Sequence, residues 1–187
     1  MLTDPEARRA VIIELAVRLS DRLGRTGVMK CMYLLQTLAG LKLGYQFRLY
    51  TYGPYDGQVL DDLCVAEALG AVRSKAFDWQ GGTGYVITAG PSSEAALTRA
   101  RRYLDSASKA IDWVVNKFGS QPASELELAS TVIFVDQAFH GSGEKISTAE
   151  LARRVHDIKP HHGLDKIQSV IAELNGEGFL KSLRRRS

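Results

Sequence analysis

The chain has 187 residues, 45% apolar and 24% charged, with a formal net charge of +3. That is ordinary globular usage, which excludes a disordered polyelectrolyte, and the charge is too small to imply nucleic acid unless it is concentrated on one face. The opening MLTDPEARR has no apolar signal core, and no run approaches the ~18 apolar residues of a membrane span. Cys31 and Cys64 lie in apolar helical patterns without CxxC spacing, so free, buried thiols are expected. These features predict a soluble cytoplasmic protein with no membrane partner.

Thr3-Asp4-Pro5-Glu6 reads as a helix start: a capping side chain, a proline that sacrifices no hydrogen bond, and an acid in the first turn. Ile12, Leu15, Leu19 and Leu23 make an apolar stripe, and Gly24 is expected to end the helix in a left-handed conformation. Thr26 is the expected cap of a second helix carrying Val28, Met32, Leu35 and Leu38 on one face. From Leu43 the period changes to two, with Tyr45, Phe47, Leu49 and Thr51 alternating with Gln46, Arg48, Tyr50 and Tyr52, as in a half-buried strand. A third helix runs from Gly57 to Leu69, and Gly70 stops it. Ala71–Phe77 and Tyr85–Thr88 flank a turn at Gly81-Gly82 and read as a β-hairpin.

Beyond Pro91 the pattern is helical. Residues 92–118 predict one long amphipathic helix with Leu97, Ala100, Leu104, Ala107 and Ile111 inward, and residues 123–139 a strongly apolar, central one. Ser147 and Glu150 form a capping box for a helix over 148–158, Lys159-Pro160 breaks it, and a last helix covers 164–175. The fold class expected is α+β, mainly α, with a winged-helix-like N-terminal unit and a small antiparallel sheet over 1–90. It packs on a helical half over 91–187 in one compact body. An internal echo, EALGAVRS (67–74) against ELNGEGFLKS (173–182), suggests that the second half repeats a degenerate winged-helix-like unit, with a helix ending at Gly and feeding a strand.

A winged helix raises the question of DNA, which the charge of the third helix answers. Asp56, Asp61, Asp62 and Glu67 lie there without a Lys or Arg, the wrong sign for a reader of phosphates. Basic residues gather elsewhere, among them Arg8 and Arg9 on helix one, Arg101 and Arg102 on the long helix, and Arg184, Arg185 and Arg186 at the tail. A nucleic-acid-binding regulator using those faces is the alternative reading; solvated helix surfaces are the simpler one. His156, His161 and His162, with Asp157 and Asp165, straddle a helix break, and adjacent histidines do not converge on one ion. P-loop, GxSxG, HExxH and dinucleotide-binding signatures are all missing, and Gly81-Gly82-Thr83-Gly84 suits a hairpin tip better than a phosphate cradle. Asp61 and Asp62 diverge by about 100° on a helix and do not make a catalytic pair. No cofactor, metal or catalytic residue is expected.

The stretch Tyr52-Gly53-Pro54-Tyr55-Asp56 remains. Gly53 and Pro54 read as a strand-to-helix junction and Asp56 as the helix cap. Tyr50, Tyr52 and Tyr55 either cover a neighbouring helix or form an aromatic partner surface, with Asp56, Asp61 and Asp62 beside them.

The segment MKCMYLLQTLAGLKLGYQFRLYTYGPYDGQVLDDLCVAEALGAV resembles the hallmark region of YwgA-like proteins and the related Panacea and SocA group. The likeness rests on a K-x-x-Y-L-x-Q helix, Tyr-Gly-Pro, and an acidic helix closing at Leu-x-x-x-Gly. Lys30, Tyr33, Leu34, Gln36, Tyr52, Gly53, Pro54, Asp62 and Gly70 occupy those places; Met29-Lys30-Cys31 departs from the family's Leu-x-K-Leu pattern. The C-terminal LELASTVIFV and KISTAELARRVHDIKPHHGLDKIQSVIAELNGEGFL are similar as well, so the likeness extends over most of 26–180. The resemblance implies a protein antitoxin or an adapter that delivers a toxin to a protease, and it brings no catalytic residues. The expected function is therefore a non-enzymatic protein-interaction module whose partner is another protein, a toxin or protease component. A second copy of the chain is a further candidate.

Overall fold

A computed structural model describes residues 4–79 and 82–184. The fold is α+β and mainly helical, with two small two-stranded sheets. It divides into two compact units, one of residues 1–47 and 55–123, the other of residues 48–54 and 124–187. The first unit is thus larger than the expected 1–90. Its added helices bury Leu104, Ala107, Ile111, Val114 and Phe118, and that apolar stripe packs on the unit's own first two helices.

In the first unit α1 (Asp4–Leu19) leads through a short 3-10 turn (Ser20–Arg22) to α2 (Arg25–Thr37). The left-handed residue at this bend is Ser20 (φ 45°), whereas Gly24 is extended and stands at the N-cap expected of Thr26. The extended stretch lets the Leu23 carbonyl accept a hydrogen bond from the Ile87 amide at 2.7 Å, so the helix must end before Leu23 for the chain to meet the hairpin. After two short strands, α3 (Gly57–Ala68) ends at Gly70, which takes φ 68° as a glycine can, and β3 (Val72–Trp79) pairs antiparallel with β4 (Gly82–Ala89). The expected helix over 92–118 is broken into α4 (Ser93–Arg99) and α5 (Arg101–Phe118). Buried Ala100 leaves helical geometry between them, and α4 and α5 each pack against α1.

The two thiols differ. Cys31 is buried, and desolvation pushes its pKa up from 9.0 to about 12; Cys64 lies on the exposed side of α3, against expectation. A thiol-specific reagent at neutral pH should therefore modify one cysteine quickly and the second only in denaturant. A Cys64→Ser variant should lose the fast phase, which a colorimetric thiol assay reads directly.

The second unit is built on α6 (Ala123–Gly141), α7 (Thr148–Ile158) and α8 (Leu164–Gly176). Ser147 caps α7 through Oγ, which accepts the Glu150 amide at 3.1 Å. Glu150 itself turns to Arg153 and Arg154, and so does not complete the capping box. The internal echo has a geometric counterpart: Gly178 matches Gly70, with φ 76° against 68°. Ala71 N–H donates to the Ala66 carbonyl as Phe179 N–H donates to that of Leu174. Each following serine amide meets a carboxylate, Ser74 that of Glu67 and Ser182 that of buried Asp136. Where the first unit continues into a hairpin, here Leu183 forms a parallel bridge with Ile146. No helix among the described residues is long and apolar enough to cross a membrane.

Candidate functional site

Residues 43–47 do not continue a strand. Only β1 (Arg48–Tyr50) is regular, and it pairs with β2 (Gly53–Tyr55) in a two-stranded sheet. The Gln36 carboxamide takes the place of a strand neighbour: it donates to the Tyr45 carbonyl at 2.9 Å and accepts the Tyr45 amide at 3.0 Å. Asp56 accepts the next amide, that of Gln46, at 2.6 Å, while capping α3 through the Gln58 amide at 3.0 Å. Gly53 and Pro54 consequently belong to a hairpin rather than to a strand-to-helix junction. Gly53 takes φ 81°, and the proline sits in a sheet that has only edges.

This hairpin presents aromatic surface. Tyr50 is 65% exposed, Tyr52 67% and Tyr55 38%, while Gly53 and Pro54 are buried. Residues 48–54 belong to the second unit, and a side chain 108 positions away shows how they are held. Lys159, fully buried, donates to the Thr51 carbonyl at 2.5 Å and pairs with the Glu127 carboxylate. Its ammonium stands 6.0 Å from the centre of the Tyr52 ring. An ammonium in such a place needs both partners, because burial without them costs several kcal/mol. Lys159, the C-cap of α7, lies four residues beyond Val155 and eight beyond Leu151, which continues the spacing of the helix's buried residues. That spacing was the one sequence signal of its burial; Glu127 had none.

His162 borders the same network. Burial lowers its pKa first and His161 adds to this, while Glu127 and Glu125 pull the other way. The His161 and His162 rings are 4.3 Å apart, and His156 Nδ1 lies 3.0 Å from the His162 carbonyl oxygen. Among the described residues no three His, Cys, Asp or Glu side chains converge to hold a metal.

The remaining motif residues form an interior network in the first unit. Asp62 is 2% exposed and accepts hydrogen bonds from Arg8 Nε at 2.6 Å and the Tyr45 hydroxyl at 3.0 Å, with Arg9 at 3.9 Å. Burial, reinforced by the Asp62 charge, raises the Tyr45 phenol far above its ordinary value. Tyr33 meets Phe47 edge to face at 5.1 Å, and Lys30 is buried in α2. Asp62 is therefore an interior carboxylate, not a surface one. Exposed Asp61 is its diverging neighbour.

The basic residues are similarly divided. Arg8 and Arg9 are turned to Asp62, and Arg101 pairs with Asp105 at 3.2 Å. Arg102 is exposed, and Arg184 donates to the Lys145 carbonyl at 3.2 Å; Arg185 and Arg186 lie outside the described residues. Among known proteins, no family model matches the chain, and no curated protein matches it.

Proposed function

We propose that the chain is a non-enzymatic protein-interaction module of the cytoplasm, antitoxin-like or adapter-like as its resemblance to YwgA-like, Panacea and SocA proteins implies. Its docking surface is the hairpin that carries Tyr50, Tyr52 and Tyr55. The observation that carries this reading is the exposure of three tyrosines on one short hairpin whose turn is clamped from below by buried Lys159. Tyrosine gives large apolar contact with a polar tip at small entropic cost, and a clamped turn lowers that cost further. Two free thiols agree with a reducing compartment. The element order of a winged helix, with the Leu23–Ile87 hydrogen bond joining the first bend to the hairpin, supports a winged-helix-like first unit. The second unit repeats that order in shortened form, which supports the duplication. Use of α3 as a DNA reader is disfavoured, because it carries no Lys or Arg.

The test is affinity capture with tagged wild type and a Tyr50→Ala/Tyr52→Ala variant whose circular dichroism matches wild type. Loss of a protein partner, with affinity down at least about tenfold when the two are remixed, is expected. Equal recovery by the folded variant would remove the hairpin from the site.

A further inference from the structure

The second unit holds a hollow of about 840 Å³ at the meeting of the α6 and α8 C-termini, the start of α7 and the tail segment around Leu183. Its polar lining is His140, Lys145, Thr148, Asn175, Lys181 and Arg184, with Leu180 and Leu183 as apolar walls. No Asp or Glu lines it among the described residues, although the chain has 21 acids against 24 Lys and Arg. The clustering is structural, since Lys145 stands 36 and 39 positions from Lys181 and Arg184.

Two of these cations, Lys145 and Arg184, are placed by backbone rather than left to roam. Lys145 Nζ donates to the Lys181 carbonyl at 2.6 Å, and Arg184 Nε donates to the Lys145 carbonyl at 3.2 Å. The Lys181 amide is in turn fixed on Asp136 at 2.8 Å. An ammonium has three donors and a guanidinium five, so the single bonds of Lys145 and Arg184 leave most of their donors for a guest. Thr148 and Asn175 add neutral donors on the same wall. Among the described residues no acid lines the hollow, and its one ring is the His140 imidazole, with no Phe, Tyr or Trp for a base to stack on. Its volume suits a small-molecule-sized anion rather than a single ion.

We propose that this hollow binds a chain of consecutive phosphates, recognised by Lys145, Lys181 and Arg184 through charge-assisted hydrogen bonds and not through a base. The phosphates can come from a free nucleotide or polyphosphate, or from a nucleic-acid backbone. The site is independent of the tyrosine hairpin.

Calorimetric titration of the full chain with inorganic tripolyphosphate at low salt tests the proposal, with ATP and a short single-stranded oligonucleotide as parallel arms. Binding of tripolyphosphate is expected, weakened about tenfold by Lys181→Gln and by Arg184→Gln and changed less than about twofold by Arg102→Gln. Lys181→Gln keeps both backbone bonds at that position, so it decides the matter should Arg184→Gln perturb the tail. ATP matching tripolyphosphate identifies a free phosphate chain. An oligonucleotide that binds more tightly and loses affinity in Lys181→Gln identifies a nucleic-acid backbone. Absence of tripolyphosphate binding at millimolar concentration overturns the proposal, as does equal weakening by Arg102→Gln, which would mark an effect of net charge alone.

Discussion

Asp62→Ala is expected to lower the stability of the first unit by about 3–5 kcal/mol, the largest loss of any single substitution on α3. The carboxylate is the shared acceptor of the Arg8 guanidinium and the Tyr45 hydroxyl, and Arg8 is itself mostly buried. Removing it takes the carboxylate away from a guanidinium and a phenol in the interior at once. Urea unfolding followed by circular dichroism should show the midpoint falling, and the melting temperature should drop by roughly 10 °C. Arg8→Met in the same background should recover part of the loss, since no interior guanidinium then lacks the carboxylate. An Asp62→Ala protein as stable as wild type would mean that the network is not held in solution. Alkaline pH offers an independent reading. The folded state holds the Tyr45 proton more tightly than the unfolded chain does. This contribution is fully present below the ordinary tyrosine pKa of about 10 and is lost as pH rises above it. Cys31 acts in the same sense from 9.0 up to about 12. Tyr45→Phe should therefore be less stable than wild type at neutral pH, yet lose stability less steeply above pH of about 10.

Lys159→Met should have an effect of similar size on the second unit, about 3 kcal/mol or more, with a consequence for the surface as well. The substitution keeps the apolar stem but leaves the Thr51 carbonyl and the Glu127 carboxylate without their cation. Amide hydrogen exchange over residues 48–55 should speed up, and partner capture should weaken although every tyrosine is intact. Adding Glu127→Leu separates the two roles: stability should return in part, because no unpaired charge remains, while the hairpin stays loose. Exchange over 48–55 as slow as in wild type in Lys159→Met would show that the lysine serves only the ion pair.

Several elements were legible because their signals are local. Ser147 before Thr148, Asp56 before Gly57 and Gly70 after Leu69 each act within a few residues of where they stand, and all three do what their type predicts. The stripe of α5 was legible for the same reason. The alternation at Tyr45, Phe47 and Leu49 misled because alternating burial needs no ladder when side chains satisfy the backbone. The apolar pattern across 92–118 likewise carried no mark of the break at Ala100, which follows from packing on α1.

The candidate site divides along the same line. Composition and spacing alone determined a mainly helical α+β chain, the Asp56 and Ser147 caps, and a run of tyrosines around Gly53-Pro54 that needed a place. Tertiary structure decided that these tyrosines face outward on a hairpin, that Asp62 is interior while Asp61 is not, and that Lys159 is a clamp. Those outcomes depend on partners 54 and 108 positions away. A charged side chain can be solvated, paired or buried with equal local propensity, and only the groups that folding brings beside it set its energy.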